Sequence, residues 1–467
     1  MKTTKKLPIW LLLIAFITSF TLSNCTNEHD ILLEDTMDLV AVSAKTINAD
    51  IVVSPSGDTS GVTDFAAIQA AIESLPPGGV LLLESGTFYI NRMIVSFGFE
   101  GTIKGMGKDK TEVVGVGSDA NPFFGFSLIV LVSPSGSLEV SHMAYSLVDG
   151  FRNDGPDGNL GVFIITFLSE DGTDTNFDNL RLTGTDATAD VPSWLLTQPY
   201  QGIIVEGNFA NFPEFTSGGH HMLTNSDFSK QGVQATLYQA FNGASIEIYN
   251  NSYKEVKQTN YRFMAGSSVI IENNYMETVA FGAIVVTQES EPVLGNPNKI
   301  LIEGNEVKTA GFLPIEIGPT PNAEAKFKVS IKNNRVTNLG FDPTQFGLPN
   351  LAGISIFEGN NEAIVRNNIV RGEAWFGILN ETDNSTFVGN NLEGIFTSDA
   401  DYLLSGDNNT LVGIGNSTIL DLGNNNIYTG MQMLDGASMA ENIKAAMKKR
   451  DELLSPYTNL EYLQTLE

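Results

Sequence analysis

One phrase recurs along residues 245–426: a short run of alternating apolar and polar residues, closed by a pair of Asn. Ser245-Ile-Glu-Ile-Tyr249 leads into Asn250-Asn251, Ser268-Val-Ile-Ile-Glu272 into Asn273-Asn274, and Lys299-Ile-Leu-Ile-Glu303 into Gly304-Asn305. Lys328-Val-Ser-Ile-Lys332 leads into Asn333-Asn334, Glu362-Ala-Ile-Val-Arg366 into Asn367-Asn368, and Ser385-Thr-Phe-Val388 into Gly389-Asn390-Asn391; Ile419-Leu-Asp-Leu422 precedes Gly423-Asn424-Asn425-Asn426. The second Asn falls at 251, 274, 305, 334, 368, 391 and 425, at spacings of 23, 31, 29, 34, 23 and 34. A period in this range, interrupted by insertions, is the pattern of a solenoid whose units cannot bury an apolar face alone. Each phrase reads as a short strand ended by a sharp turn, since Asn tolerates the left-handed backbone such a turn needs. Stacked turns also let side-chain amides bond coil to coil.

Between the Asn phrases lies a second set of strands, most of them opening on Gly: Gly202-Ile-Ile-Val, Gly232-Val-Gln-Ala-Thr, Tyr261-Arg-Phe-Met, Gly282-Ala-Ile-Val-Val, Pro314-Ile-Glu-Ile, Gly353-Ile-Ser-Ile and Gly377-Ile-Leu-Asn. Two or three strands per repeat predict a three-faced solenoid of roughly eleven coils and about 50 Å. Alternation places Ile203, Val233, Phe263, Ile315, Ile354 and Ile378 inward, and Gln234, Thr236, Arg262, Glu316, Ser355 and Glu381 outward. Insertions over 185–200, 207–220, 288–298, 318–326 and 341–351 fall beside these strands, where a solenoid carries its binding loops.

Charge narrows the functions open to such a chain. Against 26 Lys and Arg stand 54 Asp and Glu, a net charge of −28, which excludes a nucleic-acid phosphate backbone as the general partner. The phosphate-cradling patterns fail as well. In Ile103-Lys-Gly105-Met-Gly107-Lys108-Asp-Lys-Thr111, Met106 stands where a P-loop needs Gly, and Lys110 where a dinucleotide fingerprint needs one. These glycines read as a corner.

The N-terminus has a basic start (Lys2, Lys5, Lys6), an apolar run from Leu7 to Ile17 too short to span a membrane, and a small polar end. The chain's one Cys, Cys25, follows directly. Leu22-Ser23-Asn24-Cys25 resembles a bacterial lipoprotein box, with Asn24 departing from the usual small residue. The resemblance implies a signal over 1–24, lipidation at Cys25, a tether over 25–46, and an outer-membrane lipoprotein on its periplasmic or cell-surface side.

After the tether, Thr63-Asp-Phe-Ala-Ala-Ile-Gln-Ala-Ala-Ile72 has helical spacing with Thr63 or Asp64 as its cap, and Pro76-Pro77-Gly78-Gly79 ends it before the strand Val80-Leu-Leu-Leu83. A helix ahead of the first coil covers apolar side chains and a strand edge that would otherwise be open. At the other end, Ser438 to Glu441 forms a capping box, and Met439 to about Leu454 reads as an amphipathic helix closing the C-terminal end, within a segment 431–467. The helix, the Asn corners and the Gly-led strands together resemble the right-handed parallel β-helix proteins of the pectate-lyase-like superfamily over 47–430. The expected fold is therefore all-β, a three-faced solenoid capped at both ends.

That fold hosts lyases, hydrolases, epimerases and binding modules, so the resemblance implies a polysaccharide partner but fixes no chemistry. The polygalacturonase-type set is missing, because the chain has no Asp-Asp pair and Gly219-His220-His221 lacks a second Gly. A lyase-type reading rests on Arg262, which with Lys254 or Lys257 would neutralise a uronate carboxylate or remove a proton. The bland alternative for Arg262 is an ion pair with Glu316. His220 is a further acid–base candidate without an acidic neighbour in sequence to orient it. Gln234, Glu316, Tyr238, Tyr261 and Trp194 are candidate substrate contacts, the aromatic ones by stacking on sugar rings. Zinc spacing is absent; Asp171, Asp174, Asn176 and Asp178 fail the EF-hand pattern but leave room for calcium. Two readings stand: cleavage of an acidic glycan, most simply by elimination, or a non-catalytic glycan-binding or structural module.

Overall fold

The computed structural model describes residues 48–433, apart from 117–126, 134–135, 149–160, 169–171, 185–199, 207–217, 232–234, 257–258, 266, 280–281, 289–297, 311–312, 319–326, 338–349, 359–361, 397–399, 414–416 and 430–431. The signal segment, Cys25, the tether and the C-terminal helix expected over Met439 to Leu454 lie outside these residues.

Every strand pairing among the described residues is parallel, and each strand bonds to its counterpart one coil away. Ser245–Tyr249 pairs with Ser268–Glu272, which pairs with Asn298–Glu303, which pairs with Phe327–Lys332. This is a parallel β-helix; parallel crossovers of this kind are right-handed in nearly all proteins. Three faces repeat. The first carries the strands before the Asn turn, the second those after it, such as Ser252–Val256, and these two are joined by hydrogen bonds into one 23-stranded sheet. The third face is a separate sheet of 13 strands, from Ile94–Phe97 to Gln432–Met433. Twelve steps of about 4.8 Å make a rod of about 58 Å, two coils longer than the repeat alone predicted. Inside, one continuous apolar cluster runs from Val53 to Leu420.

The helix α1, Val62–Ser74, covers the N-terminal end, burying Ile68, Ala71 and Ile72. Its cap differs from the sequence expectation. Gly61, at φ 79°, is the cap residue and has no capping side chain, and an added Cβ would sit 2.6 Å from Asn91 N. Asp58 reaches forward instead: its Oδ1 accepts from Ser60 N, and its Oδ2 from Thr63 N and Oγ1. Those hydrogen bonds, Ser60 first, hold its carboxyl well below the usual carboxylate range. Asp64 is fully buried inside the first turn. Its two oxygens accept from Ser56 N and Tyr89 N, both at 2.8 Å, so it rivets α1 to a strand and does not cap it.

The Asn corners form a buried ladder. Asn251, Asn274, Asn305, Asn334 and Asn368 each donate Nδ2 to the Oδ1 of the next Asn at 3.0 Å. The same Oδ1 also accepts the preceding corner's backbone N–H, as Asn305 Oδ1 does from Asn274 N at 2.9 Å. The residue before each rung holds the left-handed conformation, with φ of 54° at Asn250, 55° at Asn273 and 57° at Asn333. Two assignments move. The sixth rung is Asn390, not Asn391: Gly389 takes the left-handed position at φ 60°, and Asn391 is exposed and donates to Glu393. The last phrase belongs to a different corner, because Ile427–Tyr428 pairs with the first-face strand Thr410–Val412. There Ser385 N bonds to Asn409 Oδ1, and Asn409 N to Asn426 Oδ1, a second ladder ahead of the first face.

The Gly105–Thr111 segment is a corner, as read. Gly105 packs against the backbone of His142, and Lys108 leaves the turn to pair with Asp227 at 2.7 Å.

Candidate functional site

The three residues expected to act together sit on three faces. His220 opens the first-face strand His220–Thr224, Lys254 lies in the second-face strand Ser252–Val256, and Arg262 lies in the third-face strand Thr259–Ala265. The corners at 225–226 and 250–251 turn the chain between them, so neighbours in sequence end on different sides of the rod. His220 Nε2 stands 3.1 Å from Glu247 Oε1, and its backbone N–H donates to Asp174 Oδ1. The next coil supplies the acidic partner that the sequence neighbourhood lacks. Its neighbour His221 faces the core, where burial pushes its imidazole down to about 4 and Nδ1 meets Thr175 Oγ1 at 3.0 Å.

Lys254 aligns with Glu277, and Glu277 with Lys308, one coil apart each time. Burial raises the Glu277 carboxyl, with Lys308 opposing. Lys308 Nζ lies 5.4 Å from the centre of the Tyr275 ring, and Arg335 and Arg371 pair with Glu306 and Glu393. This second face is a lattice of neutralised charge on an open sheet.

On the third face the aromatic candidates are corrected. Tyr238 and Tyr261 have no solvent exposure; they point into the core, their rings 6.1 Å apart, and burial pushes both phenols up. Neither touches a sugar. Thr236, expected outward, is also fully buried, with Oγ1 at 3.3 Å from Tyr261 Oη. The cause is one slip of register. Counting alternation from Gly232 sends odd positions inward, whereas the strand runs Thr236–Asn242 and sends the even positions Thr236 and Tyr238 inward. Gln234 and Trp194 lie outside the described residues.

Arg262 pairs through its backbone with Thr287 on the next coil, and its side chain is outside the description. On the preceding coil the register jumps: Tyr238 pairs with Tyr261 and Phe241 with Phe263, so Gln239 and Ala240 oppose Arg262 alone. Such a bulge bends a strand and re-aims side chains, often beside functional sites.

Glu316 is where expected, on the outer side of Ile315–Ile317 between two inward Ile. Its register partners are Val285 and Ser355, one on each side. Val285 is 5% exposed and Ser355 not at all, while Glu316 keeps a partial opening to solvent. Among the described residues no ion pair is made by this carboxyl, and burial pushes it up to about 7. A carboxyl titrating near neutrality on a partly exposed residue can accept or give a proton at working pH. The sequence places Glu316 outward; the neutrality of its surroundings comes from Val285 and Ser355, which sequence alone does not bring beside it. Of the calcium candidates, Asp174 and Asp178 are strand residues whose oxygens accept from His220 N, and from Thr224 Oγ1 and Asn225 Nδ2. No group of three metal-type ligands occurs among the described residues.

No family model matches the chain, and no curated protein does. Solved structures similar to it include the A-module of a mannuronan C-5 epimerase from Azotobacter vinelandii, at 13% identity and a TM-score of 0.49, covering 79% of this chain and 95% of that one. A polysaccharide lyase of family PL6 from Pseudopedobacter saltans is similar at 12% identity and a TM-score of 0.41, covering 83% and 93%. The family 28 exopolygalacturonase of Yersinia enterocolitica is similar at 11% identity and 0.41, covering 82% and 79%. These likenesses concern the course of the backbone.

Proposed function

We propose that the protein cleaves an acidic polysaccharide by β-elimination on its third face, with Glu316 as the base. One observation carries this reading: Glu316 is a partly exposed residue between Val285 and Ser355 whose carboxyl is unpaired among the described residues, and burial pushes that carboxyl up to about 7. The proteins with a similar backbone named above, an epimerase, a lyase and a polygalacturonase by title, agree with a polysaccharide partner. In the step assigned to it, the Glu316 carboxylate takes the proton on the carbon next to the uronate carboxyl. The electron pair forms a carbon–carbon double bond as the bond to the glycosidic oxygen breaks, and that oxygen takes a proton from water. Arg262 is the charge assigned to the uronate carboxylate, since neutralising it makes the neighbouring proton removable.

The test is incubation of the full chain with a panel of uronate polymers, with and without calcium. Ultraviolet-absorbing unsaturated ends are expected from at least one, and their loss in Glu316→Gln. Absence of product from every polymer, or undiminished product from Glu316→Gln, contradicts the reading. A second reading, a glycan-binding module without turnover, draws support from the placement of His220, Lys254 and Arg262 on three separate faces; binding of a polymer with no unsaturated product would favour it. Lipidation at Cys25 and an outer-membrane location complete the proposal. Labelling of the wild type with a radioactive fatty acid, lost in Cys25→Ala, checks the lipidation, and recovery of the labelled protein in the outer-membrane fraction checks the location.

A further inference from the structure

On the first face the sign of the local charge reverses part of the way along the rod. The Glu272 carboxyl is raised, by burial first, with Glu303 and Glu247 adding to it. One coil further, the Glu303 carboxyl is lowered, chiefly by its hydrogen bond from Lys332, with Arg366 acting in the same direction. Three adjacent coils account for the reversal. Lys299 lies beside Lys328 in register on one side of the strands, and Lys332 beside Arg366 on the other. Between the two rows runs a central column of Leu301, Ser330 and Ile364, each open to solvent. Lys328 pairs with Glu362 at 3.2 Å and Lys332 with Glu303, while Lys299 and Arg366, both exposed, make no ion pair among the described residues. Four cations therefore face two carboxylates on these coils, in a chain whose net charge is −28. Ion pairs on an exposed surface are weak, so a ligand carboxylate can replace Glu362 or Glu303. The run ends where Arg366 is followed in its row by the exposed Val388 and Val412.

We propose that these three coils form a binding strip for an anionic polysaccharide, separate from the third face, on which the polymer lies parallel to the rod with its carboxylates toward the two cation rows. The rows stand four residues apart along the strand, about 13 Å, which admits a sugar ring between long basic side chains. Coils repeat about every 4.8 Å, about one pyranose, so the strip holds about three sugars. A ribbon-like 1,4-linked uronate polymer presents its carboxylates alternately at its two edges, which matches cations on both sides of one column. The C–H faces of its rings meet Leu301 and Ile364, the latter 47% exposed, and Ser330 offers a hydroxyl between them. A strip of this kind keeps a long polymer on the rod while another part of it reaches the third face. The choice of a uronate polymer rests on the function proposed above; the strip itself does not require Glu316.

The test is calorimetric binding of a uronate polymer, and of the same polymer with its carboxylates methyl-esterified, to the full chain. All proteins carry Glu316→Gln, so that turnover does not intrude. The acid polymer should bind with an affinity that falls as salt rises, and the ester should bind at least ten-fold more weakly. Adding Lys299→Gln and Arg366→Gln together should cost at least ten-fold in affinity for the acid polymer, whereas Lys299→Arg with Arg366→Lys should keep most of it. Equal binding with and without the two neutral substitutions, equal binding of the ester, or no binding of the acid polymer overturns the strip. The third-face reading is judged separately, by unsaturated product from the wild type, so either can fail alone.

Discussion

Two residues show how burial gives ordinary side chains unusual roles. Asn305 is chemically unremarkable in sequence, yet its Oδ1 accepts from Asn274 N and Nδ2 while its own Nδ2 reaches Asn334 Oδ1 and Ile271 O. Asn305→Ala strips several buried polar groups of partners at once, so we expect a loss of about 2–5 kcal/mol, read by urea denaturation. Glu316 is the opposite case, a group whose burial costs stability. Burial pushes its carboxyl up to about 7 in the folded state, from an ordinary value of 4.5. The folded state therefore favours the protonated form; that stability is complete below about pH 4.5 and is lost as pH rises through about 7. Glu316→Gln should leave stability near pH 4 almost unchanged and raise it at pH 8 by about 1–3 kcal/mol, checked by denaturation at both pH values. An equal effect at both would show that the carboxyl titrates normally. The sequence made Glu316 legible as outward, because Ile315 and Ile317 flank it. It could not show the pKa, which depends on Val285 and Ser355, residues 31 and 39 positions away in the chain.

At the scale of elements, alternation worked wherever the strand's first residue was right and inverted where it was not. The phrases ending at Asn251, Asn274, Asn305, Asn334 and Asn368 carry their own register, since each Asn fixes the corner. The Gly232 strand carries none, and a slip of one position turned Thr236 and Tyr238 from core into surface. The same reasoning explains Asn391: Gly389 is as able as Asn to hold φ near 60°, so the ladder moved forward by one residue. Helix α1 was legible from its spacing, but its cap was not. The spacing offers Thr63 or Asp64 for that role, but Gly61 takes it, because Asp64 is held inside the turn by Ser56 N and Tyr89 N while Thr63 bonds to Asp58. Asp64→Ala should cost about 2 kcal/mol or more by freeing two buried backbone N–H groups, and should loosen α1 first, measured as faster hydrogen exchange over 62–74 than in the central coils.

For the whole molecule, the strand pairings join adjacent coils and longer reaches such as Lys108 to Asp227 are surface contacts, so damage should stay local. In Asn305→Ala, exchange should quicken in the strands over 268–334 and remain near wild type around 80–115, a pattern that a globally cooperative fold would not give. The same one-dimensional order decides where function can sit. Two of the three faces are regular: the first is bounded by Asn ladders and the second laced with paired charge. Among the described residues the third combines a register shift opposite Arg262 with a carboxyl, Glu316, that makes no ion pair there and is set between Val285 and Ser355. The repeat that dominates the sequence thus builds the frame, and the site belongs to the strands that break its monotony. The most direct measurement is the pH dependence of kcat/KM for release of unsaturated ends by the wild type. With Glu316 as base, kcat/KM should rise with pH and level off above about 7, and Glu316→Gln should lose at least 100-fold on the plateau. A profile flat from pH 5 to 8, or a Glu316→Gln variant within a few-fold of wild type, would contradict the assignment of this carboxyl to the chemistry.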